Sequence, residues 1–163
     1  MAELYLMIGC PGSGKTTFLK NHTNSKNSIV VSRDAIRFSL LKENDEYFAR
    51  EEEVLQKFYA QINNALQEGK NVFIDQTSLT PRSRKKLLDN LWHYDAANAI
   101  WIDESLQTCL ERNRLRKGRE FVPEVNVCRM FHSLIPPSLD EGFKRIYRYN
   151  SKEDKLTYIG EKF

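Results

Sequence analysis

The run Gly9-Cys10-Pro11-Gly12-Ser13-Gly14-Lys15-Thr16 constrains this chain more than any other feature. It satisfies G-x-x-x-x-G-K-[ST] at every required position. It also follows an apolar segment, Leu4 to Ile8, that reads as a fully buried parallel strand. Glycines let such a loop turn tightly, so that consecutive backbone N–H groups converge on an anion. A helix starting near Lys15 and running to about Asn21 adds the partial positive charge of its N-terminus. These features predict a cradle for nucleotide phosphates made by Cys10, Pro11, Gly12, Ser13, Gly14, Lys15, Thr16 and Thr17. Lys15 would reach the β- and γ-phosphates, and the Thr16 hydroxyl would ligate Mg²⁺.

The rest of the chain alternates strands and helices. Short strands are expected at Ile29 to Val31, Asn71 to Asp75 and Ala99 to Ile102. Helices are expected over Asp34 to Leu41, around Val54 to Leu66 with a stop at Gly69, and after the Thr80-Pro81 cap. Two more follow Ser105 and Pro123, the last ending at Pro136-Pro137. Phe143 to Tyr149 and Leu156 to Ile159 form a closing strand or hairpin. That order predicts an α/β fold of three layers, a parallel sheet between helices, in one domain over residues 1–163. In such sheets ligands bind at the carboxyl ends of the strands, where each motif of this chain falls.

Composition excludes several classes. No apolar run approaches the ~20 residues of a membrane span, and Leu4 to Cys10 is too short and wrongly flanked for a signal peptide. Three cysteines, Cys10, Cys109 and Cys128, lack metal-ligand spacing and fit reduced thiols of a cytoplasmic protein. The three histidines are scattered. There is no N-K-x-D element for reading guanine, and 163 residues leave no room for oligomeric ATPase machinery. A small phosphotransferase using ATP and Mg²⁺ remains.

Three further elements suit that chemistry. Ser32-Arg33-Asp34-Ala35-Ile36-Arg37 follows the second strand, so Asp34 can take the proton of an attacking hydroxyl. Arg37 shares its helical face and can hold an anionic group of the acceptor. Asp34 could equally serve as a helix cap, with Arg33 and Arg37 solvated. Val72-Phe73-Ile74-Asp75 has the Walker-B pattern, its carboxylate placed to orient Mg²⁺ directly or through water. The basic window Arg112 to Arg119 fits a helical lid over ATP at about residues 112–122. The acidic run Glu43 to Glu53 reads as a solvated face.

Taken together, these segments resemble the kinase domain of the bacteriophage 5′-hydroxyl polynucleotide kinases and the wider group of small P-loop kinases. The resemblance rests on G-C-P-G-S-G-K-T-T, S-R-D-A-I-R, D-Q-T-S-L-T-P-R-S-R, R-N-R-L-R-K-G-R-E-F-V-P and E-G-F-K-R-I-Y, in the family's order from Gly9 to about Tyr147. It implies transfer of the γ-phosphate of ATP to the 5′-hydroxyl of DNA or RNA, with Asp34 as general base and Lys15 on the phosphates. It also implies that Arg37 holds the acceptor's 3′-phosphate and that Arg116 is the lid arginine on ATP. Thr77 and Arg84 match positions on the acceptor side. Two departures stand out: Ser78 replaces a common Asn, and the lid is one residue longer before Val122-Pro123, which makes Arg114 and Arg119 rivals of Arg116. Better-known members carry a phosphatase domain after the kinase. Here a phosphatase or ligase would be a separate partner. Two other readings use the same residues: a kinase of a small hydroxylated metabolite or nucleoside, and a nucleotide-binding regulator.

Overall fold

A computed structural model describes residues 2–161. Its centre is a six-stranded sheet of order β2-β3-β1-β4-β5-β6. The strands are β1 (Glu3–Ile8), β2 (Ser28–Ser32), β3 (Asn71–Asp75), β4 (Ala96–Ile102), β5 (Arg145–Asn150) and β6 (Lys155–Glu161). The first five run parallel, and β6 returns antiparallel beside β5, so the closing segment is a hairpin on the sheet edge. The helices are α1 (Lys15–His22), α2 (Arg33–Leu40), α3 (Glu51–Gln67), α4 (Pro81–Asp89), α5 (Leu106–Arg114) and α6 (Glu124–Ser133).

Alternation along β1 sends its side chains to opposite faces. Leu4, Leu6 and Ile8 join one core with Val72, Ile74, Ala97 and Ala99, closed by Val54, Phe58, Ile62 and Leu66 of α3 and Leu87 of α4. Met7 enters a second core with Phe18 and Leu19 of α1, Ile100, Ile102 and Tyr149. On that face Tyr5 stacks on Phe73 at 4.5 Å between ring centroids. Both faces are therefore covered, as a parallel sheet requires. Three strand–helix junctions have a side-chain cap: Ser32 Oγ accepts from Ala35 N, Ser105 Oγ accepts from Thr108 N, and Thr80 and Ser83 form a capping box.

Three elements differ from the sequence expectation. β4 starts at Ala96, three residues early, because buried Asn98 is satisfied by Glu3 Oε2 at 3.0 Å and Leu4 O at 3.3 Å, so a polar residue sits within the strand. α3 starts at Glu51, where three glutamates in the first turn meet the positive end of the helix dipole. The basic window is not a continuous helix. α5 ends at Arg114, and beyond it only a 3₁₀ turn, Gly118–Glu120, is regular. Buried Asn113 closes this loop like a strand pair: Nδ2 donates to Val122 O at 2.6 Å, and Val122 N donates back to Oδ1 at 3.0 Å.

Candidate phosphoryl-transfer site

The strand order reverses between β1, whose chain leads through α1 to β2, and β4, whose chain leads through α5 and α6 to β5, and the glycine-rich loop follows β1 at that switch point. The loop packs so closely on α5 that a Cβ at Gly12 (φ +80°) would lie 2.4 Å from Cys109 O. Only glycine satisfies both the backbone conformation and that approach. Arg112 Nη1 donates to Ser13 O at 3.0 Å, and Gly9 N donates to Thr77 O at 3.1 Å, so the loop is held from α5 and from the strand β3 turn. Cys10 and Cys109 are buried thiols with sulfurs 3.0 Å apart.

Lys15 is buried, and its Nζ donates to Gly9 O at 2.8 Å and Cys10 O at 3.0 Å. Burial pulls its ammonium below the ordinary lysine value, with Asp75 acting the other way. Burial likewise pushes the Asp75 carboxyl up, while Lys15 pulls it back. A cation and a carboxylate, each short of solvation, are ready for a ligand that carries both phosphate and a cation. Thr16 Oγ1 lies 3.5 Å from Asp75 Oδ2. One hydroxyl and one carboxylate oxygen suit Mg²⁺, which takes few protein ligands and keeps phosphates and waters for the rest. Among the described residues no group of three or more His, Cys, Asp or Glu converges, so the site offers no all-protein metal cage.

Asp34 stands in the first turn of α2, but the cap of that helix is Ser32. Its carboxylate is thereby free of the capping role, and it is 56% exposed. Tyr47 Oη donates to Asp34 Oδ1 at 2.5 Å, and Arg37 donates to the same oxygen. Among the described residues no donor reaches Oδ2. Burial and the bond to Asp34 push the Tyr47 phenol well above its ordinary value, which keeps it a donor.

Arg37 departs from its expected place. It is 3% exposed; Nη2 donates to Glu51 Oε2 at 2.6 Å, Nη1 to Tyr47 Oη at 2.7 Å, and Asp34 takes another bond. With four of its five N–H donors committed, Arg37 is placed to fix Asp34 rather than to present an open guanidinium to an acceptor phosphate. Glu51 also pairs with Arg33, so part of the acidic run serves the site instead of forming a solvated face. Burial alone would raise the Glu51 carboxyl, but bonds from Arg37 and Arg33 hold it below the usual carboxylate range. Sequence spacing missed Tyr47 and Glu51. The available signal was Arg33 and Arg37 one helical turn apart, a pair that needs a shared anion when buried.

The lid arginines separate clearly. Arg114 is exposed and paired with Glu124, and Arg119 Nη2 donates to the carbonyls of Lys42, Glu43 and Asp45. The charge of Arg116 is felt at both Lys15 and Asp75. Thr77 touches the loop through its carbonyl, and Thr17 is exposed on α1. Ser78 has φ +48°, a left-handed conformation that Asn tolerates better, which is the physical sense of the Asn found there in the family it resembles.

Arg84 requires a correction. It has no solvent exposure and is paired through Nε and Nη2 with Glu141 at 2.7 and 3.0 Å while Nη1 donates to Ser78 O and Ile135 O. It joins the turn after β3 to the segment after α6, with four of its five N–H donors committed. Arg84→Met should lower unfolding stability by about 3–5 kcal/mol, because Glu141 keeps a half-buried charge without its partner. A urea midpoint equal to the wild type would contradict this.

Among the described residues no helix is long and apolar enough to cross a membrane. A family model described as an AAA domain matches residues 4–137. A protein of the Autographa californica nuclear polyhedrosis virus, named as a bifunctional polynucleotide kinase/RNA ligase, is 25% identical over 180 residues. That match takes in 99% of this chain and 23% of the viral protein, so the chain spans about a quarter of that relative's length. Among solved structures, a chain of the Pnkp1/Rnl/Hen1 RNA repair complex superposes with a TM-score of 0.69 at 23% identity, covering 82% of this chain and 44% of that one. A sugar kinase from Janibacter sp. HTCC2649 superposes with a TM-score of 0.66 at 15% identity, covering 92% of this chain and 86% of the kinase. At these identities the two structures share the fold. With a matched model over most of its length, built on this loop, the chain belongs to the AAA domain family of P-loop proteins.

Proposed function

We propose that the chain is an ATP-dependent kinase that moves the γ-phosphoryl group to the 5′-hydroxyl of a polynucleotide. The observation that carries this reading is the Asp34 carboxylate, free of the capping role, close enough to Asp75 to act on its charge, and oriented by Arg37 and Tyr47 with Oδ2 open. The names of its relatives support the choice of acceptor.

On this reading the loop amides and Lys15 hold the β- and γ-phosphates, and Arg116 meets charge developing on the transferred group. Thr16 and Asp75 would hold Mg²⁺, which supplies charge neutralisation on the phosphates. Asp34 Oδ2 accepts the proton of the acceptor hydroxyl as its oxygen bonds to the γ-phosphorus; the bond from phosphorus to the bridging oxygen breaks, and ADP leaves.

A kinase for a small hydroxylated metabolite is the second reading. It is favoured by one observation, the commitment of Arg37 to Glu51, Asp34 and Tyr47, which leaves no preformed clamp for a 3′-phosphate. Incubation with Mg²⁺, γ-labelled ATP and either a 5′-hydroxyl oligonucleotide or a panel of sugars and nucleosides separates the two. Label on the oligonucleotide is the expected result, and label confined to a small molecule would replace the first reading by the second.

A further inference from the structure

The acceptor side carries an aromatic face that the chemistry above does not use. Phe48 is 68% exposed and Tyr47 38%. Their rings meet edge to face at 4.7 Å, and Phe38 packs on Tyr47 at 6.3 Å. Arg37 lies under both, its Cζ 4.2 Å from the Tyr47 centroid and 5.5 Å from that of Phe48. An exposed phenylalanine by itself is unremarkable on a protein surface. This one is joined through Tyr47 to the carboxylate placed to take the acceptor's proton. The segment is also held in place: Lys42 N donates to Asp45 Oδ2 at 2.8 Å, and Arg119 of the lid grips the carbonyls of Lys42, Glu43 and Asp45.

We propose that the Phe48 ring, backed by Tyr47 and Arg37, is a stacking platform for the 5′-terminal base of a single-stranded acceptor; this rests on the polynucleotide kinase reading. With Arg37 buried, the acceptor edge offers a π-face where the family resemblance implied a phosphate clamp. A π-face binds any base without reading its sequence. It gains little from a sugar, which has no aromatic plane. It also suits a single strand, whose terminal base is free to leave its neighbour, better than a blunt duplex. Arg119 ties the segment that leads into the platform to the basic window.

The test is acceptor KM for two 5′-hydroxyl oligonucleotides, one with a normal terminal nucleotide and one abasic at that position, using the wild type, Phe48→Ala and Phe48→Trp. The wild type should show a KM roughly 5- to 100-fold lower for the base-bearing end, the size of one base–aromatic stack. Phe48→Ala should remove that preference, and Phe48→Trp should keep it. Equal wild-type KM for the two ends, or an equal rise for both in Phe48→Ala, overturns the platform while leaving the kinase reading intact. Failure of the wild type to label either oligonucleotide overturns both.

Discussion

Asp34→Asn should lower phosphoryl transfer to a 5′-hydroxyl acceptor by about 10²- to 10⁴-fold, the usual contribution of a positioned general base. The substitution keeps the shape of the side chain and an oxygen that can accept from Tyr47 and Arg37, so the local packing survives. What disappears is a group able to take a proton at Oδ2. ATP affinity should stay at the wild-type value, because Asp34 lies on the acceptor side, outside the loop that holds the phosphates. A drop in kcat and kcat/KM by the same factor marks an interaction made only in the transition state. Single-turnover transfer together with calorimetric ATP titration gives both quantities. Transfer retained within a few fold would assign the base elsewhere, leaving Asp34 only its ion pair with Arg37.

Lys15→Met should lower transfer by about 10²- to 10³-fold, as removal of one preorganised donor to developing charge commonly does. Its effect on stability should run the other way. In the protein the Lys15 ammonium is buried against two backbone carbonyls, and burial lowers its pKa. No anion among the described residues lies within ion-pair distance of it, and burial outweighs its longer-range attraction to Asp75, so removing the charge relieves the folded state. The variant without nucleotide should therefore melt no lower than the wild type. The rise in melting temperature that ATP and Mg²⁺ give the wild type should largely vanish, since a ligand stabilises only in proportion to its affinity. An equal ATP-induced rise in both proteins would show that the lysine does not hold the phosphates.

Much of this arrangement was legible in the residues. The phosphate loop, the bounds of β3 and the start of α4 follow from glycine spacing, an apolar run ending in Asp75, and Thr80 before Pro81. Local signals of that kind survive folding because capping and turn chemistry act within a few residues. The failures share a different cause. Asn98 looks like the end of an apolar run until Glu3, 95 residues away, supplies its partner. Glu51 reads as one charge in an acidic surface until two arginines of α2 meet it. Arg84 matches an acceptor-side position of the family the chain resembles, yet Glu141, 57 residues on, makes it a buried tie. In the lid, Asn113 closes a loop where charge density alone suggested continued helix. Each miss depends on a polar partner outside the residue's own element, which neither periodicity nor composition records.

The most direct test of the whole account is a crystal structure with Mg²⁺, an ATP analogue that resists cleavage between the β- and γ-phosphates, and a short 5′-hydroxyl single strand. The β- and γ-phosphates should rest on the amides of residues 12–16, with Lys15 turned from the Gly9 and Cys10 carbonyls towards them and the acceptor oxygen beside Asp34 Oδ2. Phosphates bound elsewhere, with Lys15 still on those carbonyls, would contradict it.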